Sequence, residues 1–132
     1  MLSLSKANRF QLITYCLIIL AIVGSLLPPQ QLKHLTSTFS DKLIHIVYYA
    51  TLTFFWLNST ENKTRQQTLK VVLSVFLMGV ILEFLQDALP INRTMDVLDV
   101  VCNSLGISIA LLMGTPVAPA VFRLGTSRQR RS

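Results

Sequence analysis

An all-α fold, built as a four-helix transmembrane bundle with both termini cytoplasmic, is what this sequence predicts. Three observations carry that expectation: four apolar runs of helix length, a shortage of charge, and basic residues that alternate between the two sides of those runs. The chain has 132 residues, enough for one domain, with 52% hydrophobic and 14% charged residues where a soluble domain carries about a quarter charged. Its mean hydropathy is +0.54. A small protein has a high surface-to-volume ratio and needs polar surface to stay in water, so an apolar surplus of this size predicts lipid as the surrounding medium. The net charge of +6 does not point to nucleic acid, because the basic residues fall in clusters between apolar runs rather than along one face. Cys16 and Cys102 both lie inside apolar runs and read as small hydrophobes, not as a disulfide or a metal site.

The first helix is expected over residues 10–27, uncharged throughout, preceded by Lys6 and Arg9 and stopped by Pro28-Pro29. Its apolar stretch is longer than the h-region of a secretory signal, and Pro-Pro-Gln-Gln follows where a small-residue cleavage site would stand, so it reads as a retained helix. The second helix, 41–57, has an aromatic-rich core with Tyr48, Tyr49, Phe54, Phe55 and Trp56. Its apolar run starts only at Leu43, and Ser40 to Lys42 as a first turn bring it to the length of about 20 residues that a bilayer requires. The third, 69–89, ends at Pro90 and contains Glu83, Gln86 and Asp87. The fourth, 95–114, carries Asp96, Asp99 and Asn103 in its first half and ends before Pro116, leaving 115–132 as a basic cytoplasmic tail.

Of the 12 basic residues, nine (Lys6, Arg9, Lys63, Arg65, Lys70, Arg123, Arg128, Arg130 and Arg131) fall on one side of an even-numbered topology, which the positive-inside rule makes cytoplasmic. Lys33, Lys42 and Arg93 fall on the other. The acids partition the opposite way: Asp41, Glu83, Asp87, Asp96 and Asp99 sit at the outward ends of helices two, three and four, and only Glu61 is cytoplasmic. Helical spacing sharpens the pattern. Asp41, His45 and Tyr49 form one stripe at i, i+4, i+8. Gly79, Glu83 and Gln86 share a face, and so do Asp96, Asp99 and Asn103, continued by the small residues Gly106, Ala110 and Gly114, which permit close helix approach. Ionisable groups are costly in hydrocarbon, so these stripes are expected to face each other in an outward pocket, with Arg93 and Lys42 pairing with the acids.

Within residues 38–114 the order Asp41-Lys42-x-x-His45 with Tyr49, then Gly79-x-x-x-Glu83-x-x-Gln86, then Arg93-x-x-Asp96-x-x-Asp99-x-x-x-Asn103-x-x-Gly106 resembles the VanZ-like membrane proteins. Ala110 stands where that family's spacing leads one to expect glycine; alanine is still small enough for close packing. The resemblance implies a four-helix membrane protein and, through the family's namesake, an association with teicoplanin-type glycopeptide resistance.

The expected role is therefore that of a multi-pass protein of a bacterial plasma membrane. Its outward pocket of Asp41, His45, Tyr49, Glu83, Gln86, Arg93, Asp96, Asp99 and Asn103 would bind a lipid-linked or peptidoglycan-precursor headgroup, with no nucleic-acid partner. Arg93 suits a phosphate, which a guanidinium grips with two parallel hydrogen bonds. A divalent cation is the one cofactor suggested, with Asp96, Asp99 and Glu83 as ligands. An alternative is a membrane-embedded hydrolase or transferase acting on a lipid-linked phosphate or ester, with His45 or Glu83 as general base. It would have to activate water, because no serine or cysteine stands in the constellation. A small four-helix transporter is a second alternative, weakened by the lack of charge in the first helix. Each residue also has a plainer reading: Asp41 as a helix cap, His45 and Asn103 as interhelical hydrogen-bond partners, Gln86 as a bridge, Arg93 as a turn anchor.

Overall fold

The computed structural model describes residues 5–27, 38–60, 64–90 and 94–113. Lys33, Arg93, Gly114 and the 115–132 tail lie outside them. Among the described residues the chain is all-α, with four helices and no strand: α1 Lys6–Leu26, α2 Thr38–Ser59, α3 Arg65–Ala88 and α4 Val97–Leu112.

The helix ends differ from the limits of the apolar runs: α2 extends from Thr38 to Ser59 rather than 41–57, and for the other three helices a local cause is visible. α1 starts at Lys6 rather than residue 10 because Ser5 caps it, its hydroxyl accepting from the Asn8 amide; a side-chain oxygen at this position satisfies one of the free amides of the first turn. α3 starts at Arg65 rather than residue 69 because Thr64 does the same for the Gln67 amide. Polar residues thus extend both helices beyond the hydrophobic stretch. α4 begins later than residue 95, since Asp96 is its cap and not part of it. Leu27 and Leu89 end α1 and α3 with extended backbone, ψ 137° and 147°. Each precedes a proline, whose ring disfavours the helical conformation in the residue before it.

Contacts between helices set their directions. Phe10 near the start of α1 meets Phe55 near the end of α2, ring centroids 5.4 Å apart, so these two run antiparallel. Gln86 near the end of α3 donates to the carbonyl oxygen of Ser25 near the end of α1. The Met95 amide, just before α4, donates to the Asp87 carboxylate at the end of α3. One end of the molecule therefore collects the C-termini of α1 and α3 and the N-termini of α2 and α4. α2 packs most extensively against α4, and α1 and α4 lie on opposite sides of the α2–α3 pair.

Tyr49, Leu52, Leu57, Val71, Val75 and Ile107 make the buried apolar cluster, flanked by Tyr48, Trp56 and Met78. Much of the remaining apolar surface is outside: Leu20, Val47, Phe84 and Val97 are each about 60% exposed, at 58%, 61%, 63% and 67%. Two helices, Ala7–Leu26 and Arg65–Ala88, are long and apolar enough to cross a membrane, and most of each is exposed rather than enclosed by the protein. Hydroxyls on α1, α2 and α4 bond to their own backbone. Thr14, Thr51, Ser104 and Ser108 each donate to the carbonyl four residues earlier, at 2.7–2.9 Å.

Candidate functional site

Asp41 occupies the first turn of α2, where the helix dipole favours a carboxylate. One and two turns on, His45 and Tyr49 follow on the same face, their rings nearly parallel (5°) with centroids 6.3 Å apart. That face meets the stripe of Asp99, Asn103, Gly106 and Ala110 on α4, all four of them buried. The approach is close because Gly106 has no side chain. A Cβ there would lie 2.4 Å from the carbonyl oxygen of Ile46 and 2.9 Å from the amide nitrogen of Ala50, so α4 rests directly on the backbone of α2.

This contact aligns a polar network. The Lys42 ammonium bridges two carboxylates, at 2.7 Å from Asp96 Oδ2 and 2.9 Å from Asp99 Oδ1. Asp96 uses its other oxygen to accept from the Leu98 amide at 2.8 Å, so one carboxylate caps α4 and tethers it to α2. The Lys42 ammonium, and after it the Leu98 N–H, hold the Asp96 carboxyl below the usual carboxylate range. His45 Nδ1 lies 2.9 Å from Asn103 Oδ1. An amide oxygen only accepts, so Nδ1–H donates this bond. Nε2 then faces Asp99 Oδ2 at 3.8 Å.

α3 joins through its own small residue. A Cβ on Gly79 would be 3.0 Å from Asn103 Nδ2 and 3.1 Å from the Tyr49 ring and hydroxyl, so the Asn103 amide and the Tyr49 side chain fill the space a larger residue would claim. Glu83 follows one turn later, 2% exposed. Gln86 is equally buried, and its amide donates to the Ser25 carbonyl at 3.0 Å, which ties α3 to α1.

Of the residues singled out from the sequence, Asp41, His45, Asp99 and Asn103 come together at the α2–α4 seam, with Asp96 held at its edge by Lys42. Tyr49 lies behind His45, Glu83 is buried on α3, and Gln86 is engaged with α1. The cation set expected from the sequence, Glu83 with Asp96 and Asp99, does not assemble. The donors that converge among the described residues are Asp41, His45 and Asp99, one atom from each within 4.8 Å of the others. The reason is geometric: Asp96 turns toward Lys42 and its own helix, Glu83 belongs to α3, and the tight α2–α4 contact brings Asp41 and His45 to Asp99 instead. Lys42 pairs with the acids as the sequence led us to expect, and the structure identifies its two partners as Asp96 and Asp99.

The VanZ/LLP1 family matches residues 3–117, a span that holds all four helices and the whole polar seam. An uncharacterized protein of Schizosaccharomyces pombe is 37% identical to this chain over 76 residues, covering 56% of this chain and 46% of that protein. The chain therefore spans less than half the length of that relative. No solved structure matches. With the family match running through nearly the entire chain, the protein belongs to the VanZ/LLP1 family.

Proposed function

We propose that this VanZ/LLP1 member is a multi-pass protein of the plasma membrane whose polar seam opens on the outer face and binds the headgroup of a lipid-linked phosphate or cell-wall precursor. The observation that carries this reading is the Lys42–Asp96–Asp99–His45–Asn103 network, gathered at one end of helices that expose many large apolar side chains. Charged groups inside a membrane protein are expensive to insert and are retained where they serve a pathway or a ligand. Exposed leucine, isoleucine and phenylalanine along α1 and α3 suit acyl chains, and the hydroxyls bonded to their own backbone suit a medium that offers no partners.

Charge supports the orientation. Arg9, Arg65 and Lys70 are exposed at the end opposite the seam, and basic residues favour the cytoplasmic side. The seam then faces outward, level with the headgroups. A part in teicoplanin-type resistance, the association of the family's namesake, would follow from capture of a wall precursor.

Two measurements test the reading. With Cys16 and Cys102 replaced by serine, Thr94→Cys beside the seam should react with a membrane-impermeant maleimide on intact cells, and Gln66→Cys only after permeabilisation; the reverse pattern sinks the orientation. Purified protein in detergent should retain a short polyprenyl phosphate in native mass spectrometry in preference to the matching alcohol, and Lys42→Met, which removes the cation of the network, should lose that preference. Equal retention of phosphate and alcohol would sink the headgroup reading.

A further inference from the structure

The seam carries more negative charge than its one lysine neutralises. Asp96 and Asp99 share the Lys42 ammonium, and Asp41 stands beside Asp99 and His45, so three carboxylates are set against one lysine. Lys42 takes only one oxygen of Asp99. The other oxygen, Oδ2, points at His45 Nε2 across 3.8 Å. Because Nδ1 is committed to Asn103 Oδ1, a neutral His45 offers a lone pair at Nε2, and the carboxylate offers another. Two acceptors directed at each other repel unless a positive centre lies between them.

We infer that Asp41, His45 and Asp99 form a three-ligand site for a divalent cation of the zinc class. Metal–nitrogen and metal–oxygen bonds of about 2.0–2.2 Å let one ion sit between Nε2 and Oδ2 at the separation observed. The Asp41 carboxylate, one turn before His45 on the same face, supplies the third donor within 4.8 Å. An imidazole among the ligands favours zinc over magnesium or calcium, which prefer all-oxygen sites. The Nδ1–H bond to Asn103, a side chain 1% exposed, is the kind of outer contact that fixes a ligating histidine's tautomer and ring orientation. A dipositive ion also cancels the local charge excess. Three protein ligands leave a coordination position open, and this is where the inference deepens the headgroup reading on which that role rests: a phosphate oxygen can complete the shell, so an anionic headgroup is held by a cluster that would otherwise repel it.

The chain has two histidines, so His34→Ala leaves His45 alone as the reporter. The full-length His34→Ala protein, labelled with ¹⁵N-histidine, stripped with EDTA and kept in detergent without lipid, would be titrated with Zn²⁺ and followed by NMR. One equivalent should move the Nε2 resonance, leave Nδ1 protonated, and be reversed by EDTA; Asp99→Asn should weaken the response at least tenfold. An Nε2 resonance unmoved by a large excess of zinc, or a change matching that produced by protonation alone, would overturn the inference. The labelled protein decides the question even if Asp99→Asn does not fold. A polyprenyl phosphate retained in EDTA, with no zinc response, would sink the metal site alone; a zinc response with no retained lipid phosphate would sink the headgroup reading alone.

Discussion

Replacing Gly106 by alanine places a methyl group 2.4 Å from the Ile46 carbonyl oxygen and 2.9 Å from the Ala50 amide nitrogen. Both obstacles are backbone atoms inside α2, so no rotamer change relieves the clash and the two helices must separate by several tenths of an ångström. Overpacking of this kind costs about 1–3 kcal/mol. Against it stands the intrinsic helix preference of alanine over glycine, about 0.5–1 kcal/mol. Gly24 measures that second effect by itself, because a Cβ there meets nothing within 4 Å. Gly24→Ala should therefore be neutral or slightly stabilising, and Gly106→Ala should lie about 1–3 kcal/mol below it. The assay is reversible unfolding in mixed dodecylmaltoside–SDS micelles, followed by far-UV circular dichroism, with the two variants compared under one set of conditions. Equal unfolding midpoints for Gly106→Ala and Gly24→Ala would refute the claim that α2 and α4 are in backbone contact, and with it the alignment of the seam.

Lys42→Met leaves Asp99, whose side chain is 7% exposed, beside two further carboxylates with no cation. Breaking a fully buried pair costs about 3–5 kcal/mol, but with Lys42 itself 24% exposed solvent screening lowers the expected loss to about 1–3 kcal/mol. Asp96→Asn keeps the helix cap and removes an exposed charge, so it should cost below about 1 kcal/mol; an equal loss for both variants in the same unfolding assay would contradict the burial difference. Acid stability follows from the Asp96 carboxyl, which the Lys42 ammonium and the Leu98 N–H hold below its ordinary value. Since the folded value lies under the unfolded one of about 3.9, the stabilisation is complete above that pH and is lost as pH falls through the folded value. Thermal melts from pH 7 to pH 3 should show a gap between wild type and Lys42→Met that narrows below about pH 4; a gap constant across that range would exclude the pair as its source.

The helices were legible because long apolar runs stand out in the sequence: Pro28 and Pro90 marked two ends to within a residue or so. The starts were less legible because Ser5 and Thr64 let polar residues join α1 and α3 ahead of the apolar stretch. Within the site, spacing alone placed Asp41 with His45 and Asp99 with Asn103, since residues three or four apart on one helix must share a face. Which stripe would meet which was not determined by spacing. The pairing of α2 with α4 depends on how far Gly106 lets two backbones approach, and that approach brings Asp41 and His45 to Asp99. Which acids Lys42 would pair with was hidden for a related reason: its partners lie 54 and 57 positions away, beyond any local periodicity.

In the bilayer proposed for this protein, a leucine would gain little by exchanging acyl chains for another leucine, so apolar contact alone would not select one helix register over its neighbours. The cluster around Leu52 and Val75 fills the interior without specifying which turn of α4 opposes which turn of α2. Register is set by the few contacts that tolerate no shift. Gly106 fits only where the backbone of Ile46 to Ala50 passes. A slide of one turn, about 5.4 Å, would separate Lys42 from both of its carboxylates and His45 from Asn103. The groups proposed to hold a ligand are therefore also the groups that lock the two helices together, and a ligand at Asp41, His45 and Asp99 would tighten the contact that created its site. That coupling makes a sharp demand on the zinc titration: cation binding should raise the unfolding midpoint of the wild-type chain and do so far less for Gly106→Ala, in which the ligands are all present but the seam is pried apart.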